Sequence, residues 1–123
     1  MQVSKIEGNL ILRLSIDFAL KAIAYCDELE SKRKYVISNQ LLKAATSIGA
    51  NLFEAQNAES KSDFIHKVKI AAKEVDETKY WLILCGQSKN YPEIKDLFTN
   101  LESIERVITK ILSSSKKSLI KAN

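Results

Sequence analysis

The chain has 123 residues, 46% of them apolar and 28% charged, with a net charge of +4. That length sets an expectation of one domain spanning residues 1–123, with a core of its own. Three glycines and one proline are too few for an all-β fold, which needs many turns, and no apolar run approaches the length of a membrane helix. The mixed segment 1–9 lacks the pattern of a secretory signal, so a cytoplasmic protein with no membrane partner is expected. In that setting Cys26 and Cys85, both inside helical patterns, read as buried thiols rather than a disulfide.

The first predicted helix covers about residues 10–29. Leu12, Ile16, Ala19, Ile23 and Cys26 step by three and four, which marks them as its core face. Arg13, Asp17 and Lys21 form a narrow polar line on which ion pairing is possible. Leu10, Leu14, Phe18, Leu20 and Tyr25 cover much of the rest, so burial on more than one side is expected. After the charged link Glu30 to Lys34, a second helix is predicted over 38–58 with Ser38 as N-cap. Its core face is Leu41, Ala45, Ile48, Leu52 and Ala55. Gly49 costs roughly 1 kcal/mol against alanine inside a helix, and close approach of a neighbouring helix is the expected compensation.

The third helix is predicted over 62–87, with Ser62 as N-cap and Asp63 in the first turn. One stripe carries Phe64, Val68, Ala71, Val75 and Leu82. A second, offset stripe carries Ile70, Glu74, Glu77, Trp81 and Leu84, a mixture that suits a partner better than solvent. The fourth helix is predicted over 92–113, opening at Pro92, with Ile94, Leu97, Leu101, Ile104, Ile108 and Ile111 near heptad spacing. From Ser113-Ser114-Ser115 the pattern weakens, and a frayed tail is expected. Four long helices on short links imply an all-α, antiparallel, up-down-up-down four-helix bundle.

The chemistry-bearing residues point away from catalysis. His66 has Ser62 and Asp63 nearby, but residues so close on one helix cannot form an in-line relay. No Glu-x-x-His occurs, so a two-metal carboxylate site is not expected, nor is any cofactor. Asn51, Glu54 and Glu74 read as structural polar groups that need partners when buried, with Glu54 paired to a lysine such as Lys73. Ile70, Glu77, Trp81 and Leu84 read as an interface between subunits or with another protein.

The basic residues cluster. Lys32, Arg33 and Lys34 adjoin one another; Lys67, Lys69 and Lys73 share the third helix with Lys79; and after Glu105 only bases follow, among them Arg106, Lys110, Lys116, Lys117 and Lys121. Of these, Lys32, Arg33, Lys34, Lys67, Lys69, Lys73, Lys116 and Lys117, together with Lys43, are candidate phosphate contacts for structured RNA or DNA, giving affinity with little base specificity.

Two linked blocks carry a family resemblance. The first is Gln40-Leu41, Ala44-Ala45, Ser47-Ile48-Gly49-Ala50-Asn51 and Glu54-Ala55. The second is Asp63-Phe64, Lys67, Ile70-Ala71, Lys73-Glu74, Glu77 and Tyr80-Trp81-Leu82. In order and spacing they resemble the bacterial four-helix bundle family, also known as the 23S ribosomal RNA intervening-sequence proteins. The resemblance implies an antiparallel bundle that assembles as a homopentamer with a central opening. It implies no catalytic residue. A related member is the accessory protein of diversity-generating retroelements, so a reverse transcriptase and nucleic acid join the candidate partners. Many relatives carry arginine where Lys43 stands; lysine keeps the charge but loses the planar fork.

Overall fold

A computed structural model describes residues 9–122; the remainder of the expected span 1–123, including the end of the tail at Asn123, lies outside the described residues. Among the described residues there are four helices and no strand: α1 (Leu10–Ser31), α2 (Tyr35–Ala55), α3 (Lys61–Gln87) and α4 (Lys95–Ala122). Each packs against two others. The pairs are α1 with α2, α2 with α3, α3 with α4, and α4 with α1, so the four enclose one core.

Most of the core faces expected for α2, α3 and α4 are observed, with Leu41, Ala45, Ile48, Leu52, Val68, Ala71, Val75, Leu82, Leu97, Leu101, Ile104 and Ile108 buried; Phe64, Ile94 and Ile111 are only half-buried, and Ile65 is buried beside Phe64. The α1 face is rotated from expectation. Ile11, Leu12, Ser15, Phe18, Ala22, Tyr25, Cys26 and Leu29 are buried, while Ile16 and Ala19 are half-buried and Ile23 is exposed. Apolar residues surround most of α1, so periodicity alone does not choose its inward side. Close packing does: a Cβ at Gly49 would stand 3.3 Å from Ser15 Oγ, so the small residues of α1 face the glycine of α2. Burial of Ser15 is cheap because its hydroxyl donates to Leu12 O at 2.9 Å. Burial of α1 on more than one side is not met within the chain, since Leu10 and Leu20 are exposed.

Helix ends follow local chemistry. Asn9 caps α1, its side-chain oxygen accepting from the Leu12 N–H at 3.3 Å. At the other end, Arg33 N–H donates to Glu30 O at 2.9 Å and Lys34 N–H to Leu29 O at 2.8 Å, with Arg33 at φ 62°. This is a Schellman motif with arginine in the left-handed position that usually takes glycine. The next helix starts at Tyr35, three residues before the expected Ser38, and its N-cap Lys34 supplies no side-chain cap. Ser38 instead lies buried, donating to Cys26 O at 3.1 Å, while Cys26 Sγ donates to Ser38 O at 3.5 Å.

Ser60, not Ser62, caps α3 by accepting the Asp63 N–H at 3.0 Å, and Asp63 Oδ2 accepts the Glu59 N–H at 3.2 Å. The spacing is that of a capping box, which Ser62 lacks, with the return bond falling on Glu59 rather than on the N-cap itself. Pro92 stands ahead of α4 rather than in it, and its carbonyl accepts the Tyr25 hydroxyl at 2.9 Å. The fourth helix is longer than the expected 92–113 at its far end: α4 runs on to Ala122, with Ser115 buried.

Candidate functional site

Side-chain hydrogen bonds climb the outer side of α2. Ser47 Oγ donates to Lys43 O at 2.7 Å and Asn51 Nδ2 to Ser47 O at 2.8 Å. Lys43, Ser47, Asn51 and Glu54 thus form one line, because steps of four and three stay on one helix face. Beside it on α3 runs a second line of Lys67, Ile70, Glu74, Glu77, Trp81 and Leu84. Ser47, Asn51, Lys67, Ile70, Glu74, Trp81 and Leu84 are half-buried; Lys43, Glu54 and Glu77 are exposed. The lines meet where Lys67 Nζ lies 3.4 Å from Glu54 Oε2. Farther along, burial first and then the Glu77 carboxylate hold the Glu74 carboxyl above its ordinary value, while nearby Lys43 opposes the shift.

Two expectations for this face are corrected. Glu54 pairs with Lys67 rather than Lys73, since the one-helix stripe does not fix which lysine reaches across. With the Glu54 side chain 61% exposed, that pair adds little stability. Glu54 is exposed rather than a buried polar group, and Asn51 and Glu74 are only half-buried. The buried polar residues among those described are Ser15, Ser38, Thr78 and Ser115, which bond mainly to nearby backbone carbonyls. Short hydroxyls at apolar positions were the available signal.

Aromatic groups extend the α3 line. Tyr80 and Trp81 meet edge to face with centroids 5.1 Å apart, and Trp81 Nε1 reaches Glu77 Oε2 at 3.5 Å. Tyr80 is 55% exposed and Ile83 42% exposed. His66, Lys69 and Lys73 lie along the exposed outer side of the same helix. Lys69 and Lys73 are one turn apart and alike in charge, which is mildly unfavourable without an anion nearby.

The remaining basic positions do not gather with these. Lys32, Arg33 and Lys34 form the α1–α2 turn, and Lys34 Nζ lies 5.1 Å from the Tyr91 ring centroid in the α3–α4 connection. Lys116 and Lys117 are exposed near the other end of α4. At 1.5 Å per residue they stand roughly 30 Å along that helix from its start. Three separate basic regions result, rather than one. Among the described residues no three of His, Cys, Asp and Glu lie together as a metal would require. No described helix is long and apolar enough to cross a membrane.

Known proteins place the chain. No curated protein matches it. A solved structure does: a protein of unknown function from the S23 ribosomal protein family of Bacteroides thetaiotaomicron VPI-5482 is 33% identical, with a TM-score of 0.79 over 83% of this chain and 97% of that one. The family model described as 23S rRNA-intervening sequence protein matches residues 7–113, which takes in both helical lines and leaves Lys116 and Lys117 beyond its end. With both blocks of the α2–α3 face and nearly the whole chain inside that match, the chain belongs to the 23S rRNA-intervening sequence protein family.

Proposed function

We propose that the protein is a non-enzymatic, cytoplasmic bundle that works as a homopentamer and binds structured RNA through phosphate contacts. The observation that carries this reading is the state of its cations. Among the described residues the ion pairs are Arg13–Asp17, Lys67–Glu54 and Lys79–Glu105. Lys32, Arg33, Lys34, Lys43, Lys69, Lys73, Lys116 and Lys117 belong to none of them. All but Lys34, which is half-buried on the Tyr91 ring, are exposed and available to phosphates, and affinity grows with the number of phosphates neutralised. The family's description mentions an RNA, which supports RNA over DNA.

Alternating helix direction is supported by the α2–α3 pairing, in which Glu54 meets Lys67 while Lys43 lies near Glu74. Assembly is supported by two apolar surfaces on different helices. One is Leu20 and Ile23 on α1; the other is Tyr80 and Ile83 on α3, beside Ile70, Trp81 and Leu84. Dissimilar patches that bind each other make head-to-tail contacts, which close into rings when the rotation allows. A ring would repeat every basic region and raise polyanion affinity accordingly.

The same apolar surfaces favour a second reading, an interaction scaffold whose α3 line binds another protein, a reverse transcriptase among the candidates. Paired variants separate the two. Lys69→Gln with Lys73→Gln should weaken RNA binding and flatten its salt dependence by roughly one to two units of slope. Unchanged RNA binding in that variant removes these positions, and loss of assembly alone in Trp81→Ala favours the scaffold.

A further inference from the structure

The α1–α2 turn and the α3–α4 connection meet at one end of the helices, joined by Lys34 on the Tyr91 ring. There an open surface depression of about 250 Å³ is lined by Arg33, Lys34, Tyr35, Val36, Ile37 and Tyr91. The lining holds two cations, two phenol rings and two aliphatic side chains, and no carboxylate. Tyr35 is 54% exposed and Val36 75% exposed. Aromatic and aliphatic surface beside cations without acidic partners is complementary to a ligand that is both flat and anionic. A neutral lipid chain would use Val36 but waste the cations, and an anionic bilayer, which would use both, calls for a long basic and apolar face rather than a depression lined by six residues. An acidic peptide would use the cations but not the flat rings. A nucleotide presents a flat π face and an anionic phosphate within one residue, and so uses both.

We infer that this depression takes an unpaired RNA nucleotide, its base stacked on Tyr35 and its flanking phosphate on Arg33. The Tyr91 face already carries Lys34, which leaves Tyr35 as the stacking ring. The arginine fork matches two phosphate oxygens. Stacking on an aromatic side chain tolerates any base, because every base has a π face. The inference rests on the RNA-binding reading and sharpens it: a loop or bulge, rather than a paired stem alone, is the preferred ligand.

The test compares the unaltered protein with Tyr35→Ala and Tyr35→Trp on two RNAs. One is a hairpin whose loop carries 2-aminopurine; the other is the same stem as a blunt duplex. The expected result is tighter binding of the hairpin, with 2-aminopurine quenched in the complex. Tyr35→Ala then loses about 5- to 150-fold on the hairpin and nothing on the duplex. Tyr35→Trp retains hairpin affinity and quenching. Tyr35 lies on the surface, and circular dichroism of each variant verifies the fold. If Tyr35→Ala binds both RNAs as the unaltered protein does, the stacking site is wrong while the RNA-binding reading stands. An equal loss on both RNAs also overturns it. If the unaltered protein binds neither RNA, the reading and the inference both fall.

Discussion

Ser15 on α1 and Gly49 on α2 face each other so closely that a Cβ on the glycine would lie 3.3 Å from the serine Oγ and 3.5 Å from its Cβ. The first distance is tight and the second is ordinary contact. Gly49→Ala gains helix propensity worth roughly 1 kcal/mol, but has to displace the hydroxyl. In a Ser15→Ala background the obstacle is gone. A double-mutant cycle by urea unfolding should therefore show Gly49→Ala more favourable in that background by roughly 0.5 kcal/mol or more. Additive effects would mean that the serine does not set the approach of the two helices.

Tyr25 ties α1 to the connection before α4 through its hydroxyl bond to Pro92 O at 2.9 Å. Burial and the nearby Cys85 thiol hold its phenol well above the usual range, so it remains a donor at any ordinary pH. Tyr25→Phe keeps the packing and leaves the Pro92 carbonyl without that donor. The expected loss is about 0.5–1.5 kcal/mol, read as a lower urea midpoint with unchanged slope.

Both cysteines are buried free thiols. Burial pushes the Cys26 thiol up to about 11, against an ordinary value of 9.0, and raises Cys85 in the same direction. The folded chain thus keeps its proton where the unfolded chain has lost it. Stability from this source is intact below pH 9 and falls as pH rises toward 11, by up to about 2 kcal/mol for Cys26. Cys26→Ala should lower stability at neutral pH through the lost packing, yet show a shallower decline between pH 9 and 11. An equally steep decline in the variant would assign the alkaline loss to other groups.

Arg33 holds a left-handed backbone at φ 62°, where glycine meets no steric penalty. Arg33→Gly should raise stability by roughly 1 kcal/mol while removing one cation from the α1–α2 turn. Melting and RNA binding should then move in opposite directions, with Tm rising as affinity falls. A fall in both would place the arginine side chain in the folding energetics instead.

Much of the fold was legible because α2, α3 and α4 carry one apolar stripe each. Leu41 to Ala55, Val68 to Leu82 and Leu97 to Ile108 all point inward as their spacing requires. The α1 register was not legible, because Ile16 and Ile23 are as apolar as Phe18 and only the contact between Ser15 and Gly49 breaks the tie. Ser38 looked like a cap because serine favours caps, but its partner is Cys26 on another helix, which no local pattern encodes. The same limit governs the site. Lysines are visible as charges, yet the pairing of Lys67 with Glu54 depends on how two helices lie together. The depression joining Arg33 and Tyr35 to Tyr91 depends on two turns far apart in sequence.

The most direct test of the central claim is binding of the purified protein to a structured RNA hairpin across a salt series, with its mass followed by light scattering in the same buffers. The account predicts an assembly of five chains whose affinity falls steeply as salt rises, because several phosphates are neutralised at once. An assembly that ignores RNA even at low salt would contradict it.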